Sequence, residues 1–473
     1  MGLYEHLPYT NFHEINLDWL LRKMKELEQA VGDFTGDELQ EAVNKYLDEH
    51  PNLFPFVTPQ LFGAVADGNA DDSPAIQAAV NSGYDIYFPT DHGEIYSIKS
   101  TVSIPRGKTR KLYGSANARG TASAGVLRRL YSTSHDTSQN AAMFRLEGGA
   151  QGIVFANLRV IMGHVVDENT TENSGVFLDA RTFKNKDKDV IIKNCMFADG
   201  EEVIQFDGRG LEVSSTTFGS CGTAASITWD ASLGADSYES RGISFLGCRF
   251  HACVGEYVVR VDSGHAFGFR MEDCLADASL HGLLYAAEQA NNWNVSGNVV
   301  QRAYRTSNMP HLIRLAGGAT DTVFNGNIFK SSSSSSPMEH MLYINGDSEN
   351  VTITNNVFDG THRSAVRLSG SGNTAGVVIS NNAFANLCRD VPAGDPDNGM
   401  YAAIQINNTS QVGYTISGNT VAGTIGKTRR LLASNQNTAV TYSTITGNVC
   451  GALASSTYTA ANCAVANNVT NLT

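Results

Sequence analysis

From about residue 190 to the end, short runs of alternating apolar and polar residues recur along the chain. They read IIKNCMF (191–197), EVSSTTF (212–218), SFLGCRF (244–250), RMEDCLA (270–276), NVSGNVV (294–300) and VFNGNIF (323–329). TITNNVF, VISNNAF, TISGNTV, TITGNVC and AVANNVT follow, beginning at 352, 378, 415, 444 and 464, and a weaker VFANLRV begins at 154. About a dozen copies at intervals of roughly 20 to 37 residues mark a solenoid, in which each repeat buries its apolar face only by stacking on its neighbours. Between most copies lies a second short strand pattern, as in VIQFDG (203), VVRVDS (258), LIRLAG (312), LYINGD (342), AVRLSG (365) and AIQINN (403). Two half-buried strands per repeat, joined by turns of variable length, predict one coil of a parallel β-helix, so the fold class is all-β.

The small polar pair inside the repeat has a structural explanation. Asn298, Asn327, Asn356, Asn382, Asn419, Asn448 and Asn468 fall at one position and would stack at a turn, their amides bonding to the coils above and below. Cys195, Cys248 and Cys274 take that position in earlier coils, which reads them as buried ladder residues rather than reactive thiols.

In the second strand the apolar residues must face inward, so the residue between them faces out. That predicts an outward column of Arg145, Phe177, Gln205, Thr228, Arg260, Tyr285, Arg314, Tyr343, Arg367 and Gln405. Two residues further along stand Glu147, Asp179, Asp207, Asp230 and Asp262, a predicted row of carboxylates one strand spacing apart, about 4.8 Å. Neighbouring coils would bring two carboxylates near the roughly 5 to 5.5 Å of a retaining glycosidase, and alternate coils near the wider spacing of an inverting one. Asp207, Asp230 and Asp262 are therefore the candidate acid/base residues. Arg260, Tyr285, Arg314, Tyr343 and Arg367 are the candidate sugar-binding residues, offering faces to stack on and cations for anionic substituents. The bland alternative remains open: Asp is a favoured residue at a strand end, and an exposed stripe is often only a solvated wall. Loop acids and histidines, among them Glu201, Glu339, His340, His362 and Arg363, are a weaker set placed in turns.

The N-terminal part differs. In NLDWLLRKMKELEQAVGDF, residues Leu17, Leu20, Met24, Leu27, Val31 and Phe34 keep heptad spacing, and a second helix is predicted over GDELQEAVNKYLDEH before the prolines of PNLFPFVTP. The reading is a helical head over 1–50, a linker over 51–60 and the solenoid over 61–473. The heptads favour a homotrimer.

Composition narrows the function. The formal charge of −13, from 47 acidic against 34 basic residues, argues against nucleic acid as a partner. No stretch approaches the roughly 20 apolar residues of a membrane span, and no apolar signal region follows the first Met, so an unsecreted chain is expected. The eight cysteines form no CxxC or zinc spacing. No metal and no cofactor is expected, a cation held by the acidic row being the alternative. GxSxG, P-loop, HExxH and EF-hand patterns are absent.

Two resemblances add to this. LFGAVADGNADDSPAIQAAV (61–80) resembles the motif that opens the first coil in the pectate-lyase-like superfamily of right-handed parallel β-helices, through Phe62, Gly63, Ala64, Asp67, Gly68, Asp71, Asp72, Ala75, Ile76 and Gln77. Ala66 replaces the usual glycine and Leu61 the usual Asp. The likeness implies an opening coil and capping helix over 61–110, with Asp71 and Asp72 as acids at the helix N-terminus. LPYTNFHEINLDWLLRKMKEL resembles the head segment of tailspike and appendage proteins of short-tailed bacteriophages. It implies virion attachment through Asn11, Phe12, His13, Leu17, Asp18 and Trp19, tail or collar proteins as partners, and assembly in the host bacterial cytoplasm. It also implies binding, and often depolymerisation, of a host-surface polysaccharide. A glycoside hydrolase is expected ahead of a lyase, with a noncatalytic receptor-binding appendage and a free β-helical polysaccharide lyase as the alternatives.

Overall fold

The computed structural model describes residues 56–468 except 90–92, 109, 115–125, 130–141, 148–149, 163–174, 182–186, 229–239, 254, 256, 263–265, 278–279, 304–310, 332–336, 389–401, 423–429, 434–438, 451, 455–458 and 462–463. The predicted head, with its heptads and its six attachment residues, lies outside the described residues.

Every pairing between the described strands is parallel, and each strand pairs with its counterpart one coil away. This is the predicted β-helix, but with three main strands per coil rather than two, and a further two-residue strand in the coils that carry Ala266–Phe267, Ala290–Asn291, Ala319–Thr320 and Ser348–Glu349. The repeat segment read as one strand and a turn is a strand, a turn and a second strand. In one coil the first face carries Asn294–Ser296, the second Val299–Ala303 and the third His311–Leu315. The second face alone is a twelve-stranded sheet. A turn of only two residues, 297 and 298, separates the first two faces, which is why alternation ran through it unnoticed.

The polar pair divides into two jobs. Its first member sits in the left-handed region, with φ of 58° at Asn355, 56° at Asn381 and 66° at Gly326, so Gly, Asn or Asp recurs there. Its second member points inward and is buried. Asn327 Nδ2 donates to Val295 O at 2.9 Å and to Asn356 Oδ1 at 2.9 Å, while Asn327 N donates to that same oxygen at 3.0 Å. The pattern repeats from Asn298 to Asn468. Cys274 N donates to Asn298 Oδ1 at 3.0 Å, so the thiols continue the same column, and burial pushes the Cys195 thiol up to about 12. Thr216 fills the one coil between Cys195 and Cys248.

Inside, identical rings stack across coils. Phe197, Phe218 and Phe250 lie 5.3 and 5.6 Å apart between centroids, and Phe358 and Phe384 lie 5.3 Å apart and nearly parallel. At the N-terminal end the helix Ser73–Ser82 packs on the first coils, and Gln77 bonds Ser103 in both directions, at 2.7 and 2.9 Å. Asp72 does not cap this helix. Its buried carboxylate instead accepts from Val65 N and Ala66 N on one oxygen and from Ser97 N on the other, tying the opening loop to the first coil. Ala66 has φ 55°, which accounts for the glycine usual at that position.

Candidate functional site

Strand register decides which residues share the outward column of the third face. It runs Ser103, Arg145, Asp179, Gln205, Ser226, Arg260, Tyr285, Arg314, Tyr343, Arg367 and Gln405. From Arg260 onward this is the predicted column. Two earlier placements were off by two residues: Phe177 is buried among Phe144, Phe155 and Phe197, and Ser226 rather than Thr228 occupies its coil.

That slip dissolves the carboxylate row. Asp179 belongs to the column itself, where Arg145 and Arg181 approach it at 3.5 and 3.0 Å. Asp207 and Asp262 stand two coils apart with Thr228 between them. Asp230 lies outside the described residues. Asp207 is only 2% exposed and forms an ion pair with Lys188, which is itself fully buried and also donates to the Ala180 and Asp207 carbonyls. A carboxylate committed to a buried lysine is a structural element, so Asp207 is withdrawn as an acid/base candidate. Asp262 is partly exposed. Its Oδ1 accepts from Arg260 at 2.9 Å and its Oδ2 from Ser226 Oγ at 2.9 Å, which holds it as an oriented carboxylate. Among the described residues no three His, Cys, Asp or Glu side chains are grouped so as to hold a metal ion.

The later coils hold the better-defined constellation. Each arginine leans back over the tyrosine of the preceding coil: Arg314 lies 5.8 Å from the Tyr285 ring centre and Arg367 5.1 Å from that of Tyr343. Tyr257 stacks on the other side of Tyr285 at 5.3 Å. At one flank of Tyr343 lie two histidines in register, His311 and His340, with ring centres 5.3 Å apart and His311 4.4 Å from Tyr343. Burial, aided by Arg314, Arg367 and Arg363, pushes His311 down to about 3, and burial, aided by His311, Arg367 and Arg363, holds His340 well below its ordinary value, so both are neutral near pH 7. His340 Nδ1 lies 2.8 Å from Ser364 O and its Nε2 3.4 Å from Arg367 Nη1, which assigns the proton to Nδ1. Arg363 is compensated by Glu339 at 2.7 Å. Arg314 and Arg367 have no carboxylate partner among the described residues.

Sequence reasoning placed His340 in a turn and did not single out His311. Both open strands of the third face, His311–Leu315 and His340–Asn345. The available signal was HLIRL against HMLYI: a histidine three residues before the outward column in consecutive repeats.

No protein-family model matches the chain, and no curated protein matches it. Solved structures do. PfbA, a surface adhesin of Streptococcus pneumoniae, superposes with a TM-score of 0.53 at 14% identity over 87% of this chain and 89% of that one. Tailspike protein 3 of bacteriophage CBA120 gives 0.46 at 14% identity over 96% of this chain and 67% of that one, and a DFA-IIIase from Arthrobacter chlorophenolicus A6 gives 0.49 at 13% over 89% and 99%. The fold is a parallel β-helix, and the likeness to PfbA is one of fold alone. No helix among the described residues is long and apolar enough to cross a membrane.

Proposed function

We propose that the chain is a virion appendage, trimeric through its N-terminal head, whose third face binds a host-surface glycan. The observation that carries the reading is the unbroken column Tyr285, Arg314, Tyr343, Arg367. Aromatic faces and forked cations alternate at one strand spacing, about 4.8 Å, close to the length of one pyranose unit, so a linear glycan laid along the solenoid axis meets one side chain per sugar. Arg260 completes the binding stripe at its N-terminal end. The resemblance of residues 7–27 to tailspike heads supports attachment to tail or collar proteins through Asn11, Phe12, His13, Leu17, Asp18 and Trp19.

Cleavage is proposed as glycoside hydrolysis, with Asp262 and Asp230 as the remaining acid/base pair. Asp262 sits beside Arg260 at the head of the stripe, its two oxygens fixed by two donors, an oriented carboxylate placed to serve as base or nucleophile. That same commitment favours the second reading, a receptor-binding appendage without chemistry. A free lyase would have no use for the head.

Purified protein incubated with envelope polysaccharides of candidate hosts decides among these. New reducing ends without unsaturated sugars, lost in Asp262→Asn with binding retained, support hydrolysis. Binding with no cleavage supports the adhesive reading, and unsaturated products support the lyase. No binding to any host polysaccharide refutes the glycan reading.

A further inference from the structure

Resting on glycan binding at this face, we infer that the ligand is an acidic polysaccharide carrying a carboxylate on alternate sugar residues. Arginines occupy every second coil of the column, Arg260, Arg314 and Arg367, with tyrosines between them. Arg260 is neutralised by Asp262 at 2.9 Å, while Arg314 and Arg367 have no carboxylate partner among the described residues. Two uncompensated guanidinium groups therefore stand two strand spacings apart, about 10 Å, on a chain whose formal charge is −13.

The groups behind them do not supply the missing negative charge. His311 and His340 are buried and neutral, and Glu339 is taken by Arg363. Among the described residues, several polar atoms in this wall also have no hydrogen-bond partner: Arg314 Nε, Arg367 Nε, His311 Nδ1, and both amide atoms of Gln405, a side chain only 1% exposed at the next place in the column. Native proteins rarely leave buried polar groups unpaired, and a cluster of them behind two guanidinium groups that lack a carboxylate partner among the described residues fits a wall that takes its anionic partner from a ligand. A guanidinium matches a carboxylate through paired N–H donors, and the tyrosine of the preceding coil holds it flat while offering its own outer edge to the neutral sugar. One cation per two coils, at about one sugar per coil, gives the disaccharide period of charge.

The test is binding of the full chain to an array of bacterial surface polysaccharides of defined structure, sorted by carboxylate content, followed by titration of each binder against its carboxyl-reduced form. The expected ligand carries carboxylates on alternate residues, and reduction weakens it at least tenfold. Arg314→Gln and Arg367→Gln should each weaken the acidic polymer about tenfold and flatten its salt dependence, with a clearly smaller loss on the reduced polymer. Arg→Lys at either position should restore part of the loss, and unchanged melting temperatures check folding. Equal binding of the reduced form, or unaffected binding by both Gln variants, overturns the inference. If neutral polymers bind and Tyr285→Ala or Tyr343→Ala abolishes it, glycan binding stands without the acidic ligand. If nothing on the array binds, both fall.

Discussion

The ladder permits a test between adjacent residues that look alike in sequence. Asn356→Ala removes four hydrogen bonds: Nδ2 to Phe324 O at 2.9 Å and to Asn382 Oδ1 at 3.0 Å, and those Oδ1 accepts from Asn327 N at 3.0 Å and Asn327 Nδ2 at 2.9 Å. Two of the partners keep another bond, since Asn327 Nδ2 retains Val295 O and Asn382 Oδ1 retains Asn356 N. The Asn327 N–H is left buried and without its acceptor. At about 1 kcal/mol for each of the other three hydrogen bonds and about 1–3 kcal/mol for the orphaned donor, the loss should be about 4–6 kcal/mol. Asn355→Gly, one residue away, should cost less than about 1 kcal/mol. Its φ of 58° is one that glycine adopts freely, Gly297, Gly326, Gly418 and Gly447 already hold the equivalent place, and its amide loses only an exposed bond to Asn325. Asn355→Val should cost about 1–2 kcal/mol, because a β-branched side chain is strained in that region.

A solenoid this long need not unfold in one step, so the readout is local. Hydrogen exchange followed by mass spectrometry should show lost protection in peptides from about 323 to 384 for Asn356→Ala, with the denaturant midpoint lowered, and near-native exchange for Asn355→Gly. If the two variants differ by less than about 1 kcal/mol, the inward amide is not what holds the turn.

Three further outcomes are expected. Lys188→Met should destabilise by about 3–5 kcal/mol by stranding the buried Asp207, while Lys188→Met with Asp207→Leu recovers most of the loss in thermal melts; no recovery would refute the structural reading of Asp207. Because the folded state holds His311 at about 3 while the unfolded chain protonates near pH 6.5, stability should fall as pH drops from about 6.5 toward 3; His311→Phe should flatten melting temperature against pH in that window if the histidine is its source. A chain starting at Phe56 should fold with a β-rich spectrum, yet be monomeric by native mass spectrometry where the full chain is trimeric; a monomeric full chain would remove the heptad argument.

Much of the fold was legible because its strongest determinant is periodic. The ladder Asn, the apolar strand centres and the inward pairs of the third face recur where stacking demands them, and one coil's pattern could be checked against the next. Legibility failed where one residue serves a local purpose. Phe177 and Thr228 were misplaced because a period of two fits equally well when shifted by two residues, and only the pairing of Asp179 with Gln205 and of Ser226 with Arg260 fixes the position. Nothing in the sequence couples Lys188 to Asp207, since a strand irregularity near 187–190 turns the lysine inward. Asp72 looked like a helix cap because a carboxylate before Ser-Pro fits that motif; its partners at 65, 66 and 97 are tertiary.

Ladder positions at the turn and outward positions on the third face differ in what they must satisfy. A ladder position is constrained by the coils on both sides, so its occupant repeats: seven asparagines from 298 to 468 in unbroken succession. An outward position on the third face faces no such demand, and threonine or serine would satisfy the strand there as well as anything. Instead four consecutive coils carry Tyr, Arg, Tyr and Arg, large side chains that lose rotamer freedom when held in a stack and leave two cations without a carboxylate partner among the described residues. Stability does not account for that choice, since a half-buried cation on a tyrosine returns only about 0.5–2 kcal/mol. The residual explanation is a ligand, and the features the strand does not need, alternate charge and flat aromatic faces, are those an acidic sugar chain would read.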